Sequence, residues 1–206
     1  MNLQEGYYRT PLAAAARYGH LSTCQLLLDN GVDLEILDNT VGSALHSAVE
    51  YSHLHIIELL LNAGASINSI GGKYGSLLQL AALNTSEQVV QLLIDRGIDI
   101  NIQAGYFGNA LQAWAYVGNK AMVQLLLDMG ADPNARSGFY ETALIAAVHE
   151  GNDSIITILL NHWAETKRCP APPLALHSNW LYDWENNLLA TKEWHSYIFK
   201  RLWEIA

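Results

Sequence analysis

The stretch Gln103-Ala-Gly105-Tyr-Phe-Gly108-Asn-Ala-Leu111-Gln-Ala-Trp114-Ala-Tyr-Val-Gly118-Asn-Lys-Ala-Met-Val-Gln-Leu125-Leu-Leu-Asp-Met-Gly130-Ala-Asp-Pro-Asn134 is the pattern that the rest of the chain copies. A step of 33 residues in either direction returns the same residue types. Leu12, Leu45, Leu78, Leu111 and Leu144 stand 33 apart, as do Gly31, Gly64, Gly97 and Gly130, and Gly42, Gly75 and Gly108. Five matches at one fixed spacing do not arise from composition, so the chain is a repeat protein whose period selects its architecture.

Each period reads as two helices and a connection. Thr10 is placed to cap a short helix, with Pro11 in the first turn, where its missing N–H costs nothing. Leu12, Ala15 and Ala16 form the buried face at helical spacing. Gly19 and His20 turn the chain into a second helix over 21–29, which Gly31 ends as a left-handed glycine. The polar run from Asp33 to Gly42 suits an extended or hairpin connection to the next unit.

These elements resemble the ankyrin repeat: Thr10-Pro11-Leu12, the pair Ala15-Ala16, Gly19-His20, Leu26-Leu27 and Gly31-Val32-Asp33 in the first unit. Leu45-His46, Leu78-Gln79, Leu111-Gln112 and Leu144 mark the later ones. The resemblance implies an all-α ankyrin-repeat solenoid of 33-residue units. It predicts an incomplete repeat connection over 1–9 and five repeats over 10–162, starting near 10, 43, 76, 109 and 142. A Pro-containing linker and amphipathic C-terminal helices are expected over 163–206. There Cys169-Pro-Ala-Pro-Pro173 cannot continue a helix, and Trp180, Trp184 and Leu188, then Trp194, Ile198, Leu202 and Ile205, recur at helical spacing. These helices are expected to cap the array or to bind across it.

Three departures stand out. The connections Gly72-Lys-Tyr74-Gly75 and Gly105-Tyr-Phe107-Gly108 shift a glycine by one position. In this they are similar to ankyrin arrays of filamentous fungi, often attached to larger signalling chains. Trp114 occupies the helix position of Ala15, Ala48, Ala81 and Ala147, a seat too small for an indole unless something moves. The start, Met1 to Tyr8, aligns with Ile100 to Phe107 and so reads as a piece of a longer array or a truncated copy. An uncapped first unit predicts fraying or self-association there.

Composition bounds the partner. Half of the residues are hydrophobic and 15% are charged, so the chain can bury a large core. Six Lys and Arg face 15 Asp and Glu up to His162, a net of −9, whereas the remainder carries five of each. An acidic array repels phosphate backbones, which disfavours nucleic acid. No apolar run reaches the length that spans a bilayer and no secretory leader is visible, so a soluble intracellular protein, cytoplasmic or nuclear, is expected. Cys24 and Cys169 form no metal or disulfide framework.

The resemblance also implies where a partner would touch. In ankyrin arrays the connections and first helices line a concave surface. The candidate partner-binding residues are Tyr8, Lys73, Tyr74, Tyr106, Phe107, Phe139 and Tyr140 at the connection tips, and His46, Gln79, Gln112, Trp114 and Tyr116 on the first helices. Aromatic rings dominate the tip row, and such rings are enriched at binding hot spots. The competing reading is that each ring packs on the next connection and stiffens the row. Catalytic motifs are lacking: there is no nucleophilic triad spacing, no HExxH and no phosphate loop. The expectation is a non-catalytic protein-interaction scaffold without cofactor or metal. The alternatives are a small-molecule or catalytic site enclosed between Trp114, Tyr116 and the Trp-rich tail, and a structural segment of a larger signalling protein.

Overall fold

A computed structural model describes residues 10–37 and 42–165 of the chain. Among them are ten helices and no strands. They alternate as first and second helices of each repeat: α1 (Pro11–Arg17) and α2 (Leu21–Asp29), α3 (Ala44–Glu50) and α4 (Leu54–Asn62), α5 (Leu77–Leu83) and α6 (Glu87–Asp95), α7 (Ala110–Val117) and α8 (Lys120–Asp128), α9 (Ala143–His149) and α10 (Asp153–Glu165). The chain divides into two compact units, 1–159 and 160–206. The array lies in the first, and α10 is described to Glu165. The tail helices expected beyond it lie outside the described residues, as do the connection 1–9 and Tyr8.

Each first helix begins in the same way. Thr10, Ser43, Ser76, Asn109 and Thr142 cap α1, α3, α5, α7 and α9, their side chains accepting from the backbone N–H three residues on. Successive first helices pack side by side, α1 on α3 through to α7 on α9, and α1, α3, α5 and α7 each pack on the second helix that follows. The core between the two layers is built of the repeating residues. Leu12, Leu45, Leu78 and Leu111 are buried, as are Ala15, Ala48, Ala81 and Ala147. Cys24 is a buried thiol, pushed up to about 11 by desolvation, which fits a small core residue.

The connections leading into α5 and α7 are tight hairpins with one antiparallel bridge each, Gly71 to Gly75 and Ala104 to Gly108. The glycines lie in the left-handed region, at φ 62° for Gly105 and φ 89° for Gly108. They serve a second purpose. A Cβ on Gly105 would stand 2.4 Å from the Tyr74 carbonyl, and one on Gly138 would stand 2.3 Å from the Gly108 nitrogen. Successive hairpins therefore stack backbone on backbone, and the Phe139 N–H donates to the Tyr106 carbonyl across the stack at 2.8 Å. Gly105 and Gly138 are the residues that permit this approach.

A second ladder runs through the loops after the second helices. Asn68 accepts from the Asp99 N–H and Asn101 from the Asp132 N–H, at 2.9 and 3.0 Å. The His53 imidazole makes no local hydrogen bond among the described residues. Its Nε2 instead lies 3.0 Å from the Arg17 carbonyl oxygen, in the preceding repeat.

Candidate interaction surface

The sequence-selected residues fall into two groups, one enclosed and one facing solvent. His46, Gln79 and Gln112 are fully enclosed in the fold. Each sits three residues into its helix and closes a capping box, accepting from the backbone N–H of Ser43, Ser76 or Asn109. The other end of each side chain reaches the next hairpin. Gln79 Nε2 donates to the Ala104 carbonyl at 2.8 Å, and Gln112 Nε2 donates to the carbonyls of Ser137 and Glu141 at 3.0 and 2.7 Å. His46 Nε2 lies 3.2 Å from the Gly75 carbonyl oxygen. These three residues are stitches between repeats. Their side chains are enclosed and their polar atoms are satisfied within the array.

In its network His46 accepts at Nδ1 from the Ser43 N–H and donates from Nε2, which requires the neutral ring. Burial pushes its pKa down to about 4, with the bond to Gly75 opposing the shift.

Trp114 is likewise enclosed. Its side chain is 0% exposed, and its Nε1 is one of three buried side-chain polar atoms without a hydrogen-bond partner among the described residues. It therefore lines no open pocket. The helix that carries it, α7, has eight residues where the other first helices have seven.

The tips show a regular register. In each pair the first residue points out and the second points in: Lys73 is exposed and Tyr74 half-buried, Tyr106 is exposed and Phe107 buried, Phe139 is exposed and Tyr140 buried. The inward members join Tyr116 of α7. Phe107 and Tyr116 have ring centroids 5.2 Å apart, and Tyr116 stacks on Tyr140 at 5.4 Å with an interplanar angle of 30°. The outward members stack on each other, Tyr106 on Phe139 at 5.2 Å and 13°. Edge contacts at 5.1 and 5.0 Å join the two layers, Tyr106 to Phe107 and Phe139 to Tyr140. The result is one contiguous aromatic platform over the fourth and fifth repeats, buried beneath and open above.

Its border is acidic. The His149 ring lies 5.2 Å from Tyr140, and its Nδ1 is 2.7 Å from the Glu150 carboxylate. The Tyr140 phenol is pushed up to about 12, first by burial and then by the charges of Tyr106, Tyr116 and Glu150, so it stays a neutral hydrogen-bonding group. Glu141, in the left-handed region at φ 58°, lies 3.8 Å from Arg136. In the second and third repeats, a recess lined by His46, Glu50, Lys73 and Tyr74 has a volume of about 20 Å³, room for a single water.

A model of ankyrin repeats in three copies matches residues 1–71, and a model of ankyrin repeats in many copies matches residues 111–160. The two together span more than half of the chain. The chain belongs to the ankyrin repeat family. No curated protein matches it. Ankyrin repeats are generally protein–protein interaction modules and typically non-catalytic, and the all-helical repeat architecture accords with that family. Among the described residues, no helix is long and apolar enough to cross a membrane, and no group of three or more His, Cys, Asp or Glu is arranged to hold a metal.

The aromatic tip row was legible in the sequence, but the division of labour within it was not. Both members of each pair are aromatic or half-aromatic, and nothing in their types says which faces in. The stitching role of His46, Gln79 and Gln112 did have a signal. Ser, Ser or Asn followed three residues later by His or Gln is a capping-box pattern.

Proposed function

We propose that this ankyrin repeat protein is a non-catalytic interaction scaffold that docks a partner protein on the aromatic platform of its fourth and fifth repeats. The observation that carries the reading is the exposure of Phe139 (66%) and Tyr106 (43%) as a stacked pair. Two rings held rigidly above a buried aromatic layer present apolar area with little entropy left to lose on binding. Lys73 and Tyr74 extend the row one repeat towards the N-terminus.

The test is a pull-down from native extract with wild type against Tyr106→Ala/Phe139→Ala. Circular dichroism verifies that the variant folds, as expected for two exposed side chains. Partners lost from the folded variant support the platform; the same partners on both proteins refute it.

Self-association of the first unit is a second reading with its own observation. In α2, Leu26 is 62% exposed, and Thr23 is exposed where Ile56, Val89, Met122 and Ile155 are buried in later repeats. A second copy could cover that face. Light scattering that gives a strict monomer across a hundredfold concentration range would reject it.

A further inference from the structure

We infer that the platform receives a cationic side chain, an arginine guanidinium above all, from a basic and extended segment of the partner; this rests on the docking role proposed above. The inference begins with a contrast inside the array. In the second and third repeats the protein supplies its own cations to two rings. The Arg17 guanidinium lies 4.4 Å over the Tyr51 ring and 3.1 Å from the Glu50 carboxylate, and Lys73 Nζ lies 5.1 Å from the centre of the Tyr74 ring. At Tyr51, ring, carboxylate and cation thus form a complete set.

The fourth and fifth repeats hold rings with carboxylates at their border, Glu150 beside His149 and Glu141 beside Arg136. The rings are Tyr106 and Phe139, stacked and open to solvent. The carboxylates are Glu150, which takes the place of Tyr51 three repeats on, and Glu141. Among the described residues, no Lys or Arg lies over Tyr106, Phe107, Phe139 or Tyr140. Arg136, the basic residue of this hairpin, is taken up by Glu141 at 3.8 Å. A π face attracts a cation electrostatically, and a carboxylate beside it adds charge complementarity. The surrounding field has the same sign preference, since residues 1–162 carry a net of −9. Guanidinium fits the surface better than ammonium because it is planar, stacks on rings and can face a carboxylate edge-on.

The test uses full-length protein and three fluorescent twelve-residue peptides of Gly and Ser. One carries three arginines at alternate positions, one carries citrulline in their place, and one carries leucine. Citrulline keeps the shape of arginine and removes its charge. The arginine peptide should bind, the citrulline peptide about tenfold more weakly, and Phe139→Ala or Glu150→Gln should each weaken arginine binding about fivefold. Asp29→Asn, an exposed carboxylate on α2, should leave it unchanged. Equal losses at Asp29 and Glu150 would overturn the inference by reducing the binding to bulk charge. Equal binding of arginine and citrulline peptides would overturn it too. A leucine peptide that binds in place of the arginine peptide, and is lost on Phe139→Ala, would overturn the cation and leave the platform standing. No binding by any peptide, with extract partners still lost on Tyr106→Ala/Phe139→Ala, would do the same.

Discussion

His46 and Gly75 are joined across 29 residues by a bond from Nε2 to the carbonyl oxygen, and two repeats further on Gln112 makes the equivalent bonds with an amide. One geometry is thus made by a side chain that titrates and by one that does not. Folded, His46 resists protonation down to about 4; unfolded, it takes a proton near 6.5. The unfolded chain therefore binds more protons between these values, so stability is full above about pH 6.5 and falls as the pH drops towards 4. The loss from this one residue is on the order of 3 kcal/mol. Urea denaturation of His46→Gln between pH 4 and 7 should show a flatter profile than wild type, with similar stability at pH 7. Parallel profiles would remove His46 as the cause.

Ser52 and Thr85 occupy the left-handed region, at φ 55° and 51°, in the turn where Gly19, Gly118 and Gly151 stand in the other repeats. A Cβ in that region costs about 1–2 kcal/mol, more for a β-branched side chain. Thr85→Gly should stabilise the array by roughly 0.5–1 kcal/mol after the added chain entropy of glycine is subtracted, and Ser52→Gly by less. A fall in melting temperature for Thr85→Gly would mean that the hydroxyl makes up for the strain.

Gly138 and Gly130 separate strain from collision. Both lie at positive φ, but a Cβ at Gly138 meets backbone at 2.3 Å, whereas one at Gly130 meets nothing within 4 Å. Gly130→Ala should cost about 1 kcal/mol, the conformational penalty alone. Gly138→Ala must push neighbouring hairpins away from each other and should cost roughly 2 kcal/mol or more. Thermal melts of the two variants, side by side, check the difference.

Trp114 fills a fully buried seat with its Nε1–H unpartnered. Trp114→Ala should lose about 3–5 kcal/mol through the cavity it leaves. Trp114→Phe gives up volume but also removes an unsatisfied donor whose burial costs about 1–3 kcal/mol, so its net loss should stay under roughly 1.5 kcal/mol. Chemical denaturation distinguishes this from a hidden bond to the indole, which would make the phenylalanine variant nearly as unstable as the alanine one.

The all-helical repeat was legible in the 33-residue period, because capping residues, buried leucines and terminal glycines are all local signals. Thr10, Pro11 and Gly31 do in the structure what their types suggest. What resisted reading was the contact made between repeats. Gln79 and Gln112 are polar, and polarity suggested a surface; only the neighbouring hairpin, with its carbonyls turned inward, makes their burial favourable. Trp114 was read as an intrusion into an alanine seat, and the room that encloses it is a property of the assembled layers. The tip pairs Tyr106-Phe107 and Phe139-Tyr140 were legible as a row, but the alternation that sends one ring out and the next in depends on hairpin twist.

The glycine-on-backbone stacking of the hairpins has a consequence for how such a surface can change over generations. Because the hairpins grip one another through main chain, that part of the hold between repeats is the same whichever outward residue stands at each tip. Lys73, Tyr106 and Phe139 can be exchanged almost like type in a printer's frame, altering what the molecule recognises while the frame stays locked.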